Sequence, residues 1–101
     1  MNDLRGLTEV DRVIHEPARL MIVAILAVAD QADFLYLLNE TGLTRGNLSA
    51  HLSKLEDAGY VQIQKTFRGK VPQTLVNLTP EGQTAFNDYR SRMADLMKKM
   101  G

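Results

Sequence analysis

The chain has 101 residues, 45% of them hydrophobic and 24% charged, with 12 Lys and Arg against 12 Asp and Glu and no cysteine. That length fits one domain over 1–101, and the hydrophobic fraction excludes a disordered tail or low-complexity linker. The missing cysteines exclude disulfides, iron–sulfur clusters and thiolate zinc sites.

Leu4, Leu7, Val10 and Ile14 share one stripe at helical spacing, which predicts an N-terminal helix within 1–14. Pro17 disfavours helical geometry at Glu16 and suits the first position of a second helix. That helix runs to about Ala29, and its apolar residues on nearly every side from Leu20 predict a central element covered by the others. Asp30 to Asp33 read as a connector, followed by a short helix from about Asp33 to Thr41 that Gly42 stops. Thr44 suits the N-cap of a helix over Arg45–Asp57, and Gly59 ends it. Val61 to Lys65 alternate apolar and polar as a half-buried strand does, Arg68-Gly69-Lys70 is a turn, and Thr74–Leu78 is a second strand. Thr79-Pro80-Glu81 then opens a final helix to about Lys99. The fold expected is mainly α with a β-hairpin wing: a winged helix-turn-helix, with the helix-turn-helix at 33–58, the wing at 61–78 and a long C-terminal helix at 80–99.

Zero net charge hides a segregation. Residues 1–40 sum to −4 and residues 41–80 to +3, and no acid occurs from Ala58 to Pro80. Such a split suits a molecule with one basic face. On a wheel of about 100° per residue, Leu48, Leu52 and Leu55 form a narrow core stripe on the second helix of the motif. The opposite side carries Gly46, Asn47, Ala50, Ser53 and Lys54, flanked by Arg45 and Ser49. Small and hydrogen-bonding residues are what a helix entering the DNA major groove needs, since bulk would hold it off while Arg and Asn can grip base edges. The helix N-terminus at Thr44 favours a phosphate, and His51 completes the candidate set on this helix. Lys65, Arg68 and Lys70 give the hairpin three cations suited to phosphates or the minor groove. The same residues also suit an ordinary solvated face.

Gly42 to Leu52 and Leu55 to Val61 resemble small winged-helix transcriptional regulators of the MarR-like and ArsR-like kinds. Ile14 to Leu20 resembles the start of their central helix, and Phe67 to Lys70 and Leu78 to Gly82 resemble their wing and the entry to their last helix. The resemblance spans roughly residues 10–90. It implies a homodimer on a two-fold-related double-stranded DNA site, with Arg45, Asn47, Ser49, Ala50 and Lys54 near the groove and Arg68 and Lys70 as wing contacts. Val71 to Leu75 depart from the pattern in being less basic and less aromatic.

Phe86, Met93 and Met100 recur every seven residues with Tyr89 and Leu96 between them, and Met97 lies alongside. This a/d spacing predicts dimerisation through the last helix, aided by Leu4, Leu7 and Val10. An enzyme is disfavoured, because His51, Ser49, Ser53 and Asp57 lie on one helix and cannot converge as nucleophile, base and orienter. His15 beside Glu16 suits a capping or core-edge contact. Two histidines 36 positions apart without cysteine make a metal site improbable, and no cofactor is expected. A winged helix used only for protein contacts is the competing reading, with apolar Phe34 to Leu38 as its surface. The longest apolar run, Leu20 to Ala29, is about half a membrane span, and the acidic N-terminus lacks a signal-peptide core, so a cytoplasmic protein is expected.

Overall fold

Capping side chains set most of the element boundaries in the computed structural model, which describes residues 4–101. Helix α1 (Pro17–Ala29) starts at Glu16, whose carboxylate accepts the Ala18 and Arg19 amides at 3.1 and 2.9 Å. Helix α2 (Phe34–Thr41) is capped by Asp33 and closed by Gly42 at φ 69°. Helix α3 (Arg45–Asp57) is capped by Thr44, and α4 (Pro80–Met100) by Thr79. In each, a side-chain oxygen satisfies an amide that the helix itself cannot, an arrangement worth about 1 kcal/mol per cap.

The strands are β1 (Gln31–Asp33), β2 (Val61–Arg68) and β3 (Val71–Leu78), an antiparallel sheet in the order β1-β3-β2. β1 corrects the expected connector: Gln31, Ala32 and Asp33 pair with Asn77, Val76 and Leu75. The hairpin is also longer than the sequence suggests. Pro72 sits inside β3, opposite Phe67, at a point β1 does not reach, so its missing N–H interrupts no pairing with β1. Gly69 at φ 64° takes the first central position of the two-residue turn, as a type II′ hairpin requires.

Among the described residues the N-terminal helix expected within 1–14 is not formed, residues 1–3 of that range lying outside them. Arg5–Thr8 make one 3₁₀ turn, after which Asp11 Oδ1 accepts the amides of Val13 and Ile14 at 2.9 and 3.1 Å. A short carboxylate that bonds nearby amides competes with the helical ladder and breaks it. Val10 and Ile14 still turn inward, to 5% and 0% exposure. The core lies between α1, α2, α3 and the sheet, around Ile22, Leu26, Leu37, Leu48, Leu55 and Val76. Helix α1 contacts the other three helices as well as β1 and β3, yet it is not covered on every side: Met21 and Val28 are exposed. Among the described residues no helix is long and apolar enough to cross a membrane.

The Tyr60 hydroxyl, at the entry to β2, donates to Asp11 Oδ2 and so ties the N-terminal segment to the sheet. This hydrogen bond, then burial and the Asp11 charge, push the Tyr60 pKa from 10.0 up to about 12. A raised pKa favours the folded state while the phenol is protonated. The contribution is therefore intact below the unfolded value of 10.0 and lost as pH rises through about 12. Melting temperature measured against pH should fall over that window, and Tyr60→Phe should be less stable at neutral pH with a shallower alkaline fall. Parallel curves for the two proteins would remove Tyr60 from the alkaline transition.

Candidate nucleic-acid interface

Helix α3 is anchored from below and open above. Leu48, Leu52 and Leu55 are buried, while Arg45, Gly46, Asn47, Ser49, Ala50, Ser53 and Lys54 are exposed. Thr44 is exposed too, its hydroxyl oxygen accepting the Asn47 amide at 3.1 Å. That leaves its O–H available to donate.

His51 departs from the expected set. It is half-buried, and its Nδ1 lies 3.1 Å from Arg19 Nη1 and 3.6 Å from Glu16 Oε2. Arg19 donates through Nε to the Val13 carbonyl at 2.6 Å. Burial works to raise the Glu16 carboxyl, but the Arg19 and Ala18 amides and the His51 and Arg19 charges hold it below its ordinary value. This cluster joins the segment before α1 to the flank of α3, so His51 holds the helix rather than presenting itself outward. His15, the other histidine, pairs through Nδ1 with the Tyr89 hydroxyl at 2.8 Å, a contact at the core edge.

Between α3 and the hairpin runs a cleft of about 620 Å³, lined by Arg45, Ser49, Ser53, Glu56, Lys65 and Thr74 above a floor of Phe34, Leu52 and Ile63. Four candidates from two distant stretches of sequence, Arg45, Ser49, Ser53 and Lys65, thus meet in one place. The Arg45 guanidinium lies 6.0 Å from the centroid of the Phe34 ring, a cation–π contact that sets its direction. Arg45 and Phe34 also border a smaller cleft of about 260 Å³ with Pro72 and Gln73 of the wing. Two cations and two hydroxyls along a cleft can hold a polyanionic strand, against the opposing charge of Glu56. Gly46, Asn47, Ala50 and Lys54 do not line the cleft, nor do Arg68 and Lys70 at the exposed hairpin end.

Phe34, Arg19 and Glu56 belong to this region without having been singled out as site residues. The first two act through Arg45 and His51, contacts that require the folded arrangement of separate elements. His51 itself was recoverable, since on the helical wheel it falls beside the Leu48–Leu55 stripe.

The apolar stripe of α4 is divided. Val10, Phe86, Tyr89 and Leu96, all expected against a second copy, are instead at most 8% exposed within this chain. Leu7 and Met93 pack partly on the same core. Heptad spacing marks an apolar helix face but not which surface covers it, and here most of that face covers its own domain. Leu4, Met97 and Met100 remain exposed at 40%, 60% and 48%.

Residues 18–97 match the protein family described as winged helix DNA-binding domain. An uncharacterized protein of Methanocaldococcus jannaschii is 33% identical over 90 residues, 88% of this chain and 97% of the relative. Among solved structures, a transcriptional regulator homologue from Pyrococcus horikoshii is similar with a TM-score of 0.88 and 27% identity, over 94% of this chain and 96% of that one. A MarR-family transcriptional regulator from Silicibacter pomeroyi shares the fold at a TM-score of 0.65 and 22% identity, over 96% of this chain and 63% of its own.

Proposed function

Because the chain belongs to the winged helix DNA-binding domain family, we propose that it is a double-stranded DNA-binding transcriptional regulator that acts by occupying operator DNA. The observation that carries this reading is the cleft between α3 and the wing, where Arg45, Ser49, Ser53 and Lys65 converge beside an α3 face of small, exposed residues. In this reading α3 enters the major groove, with Arg45 and Asn47 selecting bases and Gly46 and Ala50 permitting close approach. The cleft takes the phosphate strand that borders the groove, and Lys54, Arg68 and Lys70 add phosphate affinity. The protein acts as a homodimer through Leu4, Met93, Met97 and Met100, which sets two α3 helices one DNA turn, roughly 34 Å, apart. Catalysis has no part in it.

The test is binding to random-sequence duplex DNA at two salt concentrations, with protein mass measured in solution. Four phosphate-binding cations per protomer, Lys65 in the cleft with Lys54, Arg68 and Lys70, predict a log–log salt slope of roughly −7 for the dimer. Absence of binding even at low salt would overturn the reading and favour a protein-docking winged helix. Leu35 and Tyr36 of α2, 59% and 48% exposed, would then be the surface to probe. Two variants separate the roles assigned above. Asn47→Ala should cost roughly 1–3 kcal/mol at its own base and relax sequence preference, whereas Lys70→Ala, which removes one contact from each protomer, should weaken every duplex alike and flatten the dimer's salt slope by about two. Equal loss on all sequences for Asn47→Ala would move it to the phosphate set.

A further inference from the structure

The hairpin carries an apolar end that phosphate binding does not account for. Register sets Phe67 opposite Pro72 and Arg68 opposite Val71. By strand alternation, Phe67 and Pro72 lie on the same face as Val61, Ile63, Val76 and Leu78, the face that covers the core. Along that face Val61 and Val76 are buried, Lys65 and Thr74 border the cleft with α3, and Phe67 emerges 68% exposed. Val71 on the other face is 65% exposed. A hairpin that served only to bring charge to phosphates would have no use for an aromatic ring held in water.

On the DNA reading above, we propose that Phe67, backed by Pro72, is an apolar wedge that enters the minor groove beside the major groove occupied by α3 and pushes partway between two base pairs. Arg68 and Lys70 follow the ring within three residues, and no acid occurs from Ala58 to Pro80, so the end of the hairpin is complementary to the groove's negative potential. The two-residue turn at Gly69 keeps that end narrow, and the wedge continues the face already turned toward α3. Apolar side chains inserted at a base step unstack it and bend the duplex away from the insertion. Flexible pyrimidine–purine steps open most easily, so the wedge adds a sequence preference at a position where the protein makes no hydrogen bond to a base.

The experiment uses the full chain and a random-sequence duplex of about 30 base pairs, long enough for both half-sites, with fluorophores at its two ends. Wild-type protein should shorten the end-to-end distance. Phe67→Ala should bind about tenfold more weakly with an unchanged salt slope and leave the duplex straighter. Phe67→Leu should keep most of the bend, and Lys70→Ala should keep the bend while flattening the slope. Binding and bending by Phe67→Ala equal to wild type, or a straight duplex with wild type, would overturn the wedge and leave the DNA reading standing. A loss of protein mass in Phe67→Ala would also overturn it, by making the ring a contact between copies. No binding of any duplex by wild type would overturn the DNA reading itself.

Discussion

Arg45→Ala should weaken binding to preferred DNA by roughly 1–3 kcal/mol, about 5- to 150-fold, and level the difference between preferred and unselected sequences. Arg45 is the first residue of α3, exposed, with its guanidinium over Phe34 and its side chain bordering both clefts against the wing. The N-terminal residues of a recognition helix are those that reach base edges, and an arginine whose direction is already set loses less freedom on binding. Arg45→Lys should restore only part of the loss, since lysine keeps the charge without the bidentate fork or the flat face for stacking. The fold should be little affected, within about 0.5 kcal/mol, because the residue is exposed. Competition between selected and random duplexes is the measurement. Uniform weakening across sequences would reassign Arg45 to the phosphate strand.

Gly82→Ala should lower stability by about 3 kcal/mol and the melting temperature by roughly 10–20 °C. Alanine is ordinarily the better helix residue by about 1 kcal/mol, so the substitution would stabilise an unobstructed first turn. Here a Cβ at Gly82 would overlap the Tyr60 carbonyl oxygen and come within 2.9 Å of Leu78 Cδ1. The obstruction is backbone and cannot rotate away. That carbonyl accepts the Thr79 amide at 3.0 Å, and the Thr79 hydroxyl donates to the Gly59 carbonyl at 2.6 Å. Moving α4 outward would therefore break the bonds that fasten its start to the chain between α3 and β2. Calorimetry checks this, and an unchanged melting temperature would mean that α4 shifts at no cost.

Local chemistry made most of the fold legible in the sequence. The caps at Thr44 and Thr79, the proline at the start of α1, and Gly42 each act on neighbours within a few residues, so they mark boundaries that packing then keeps. Interactions between distant segments were not legible. Gln31-Ala32-Asp33 has no strand pattern of its own and becomes β1 because β3 offers it an edge. Pro72 argues against a strand until the edge it occupies is known. Around the candidate site, exposure of the outer α3 face followed from its position opposite the leucine stripe. The Phe34–Arg45 contact and the inward turn of His51 depend on where α1 and α2 lie against α3. In α4, one helical period served both the domain's core and an exposed end, and only burial separates Leu96 from Met97.

Because β3 is hydrogen-bonded to β1 on one side and β2 on the other, the wing is fastened to the start of α2 as well as to its own turn. On the DNA reading, α3 and the wing are then the two jaws of a calliper whose opening the three-strand sheet holds fixed. A calliper of set width measures the distance across one phosphate strand before it reads any base. Duplexes whose groove dimensions match at rest, or deform cheaply to match, are gripped by both jaws; stiff duplexes of another width are held by one. Shortening or loosening β1, which carries none of the residues assigned to base reading, would then alter which sequences the protein prefers.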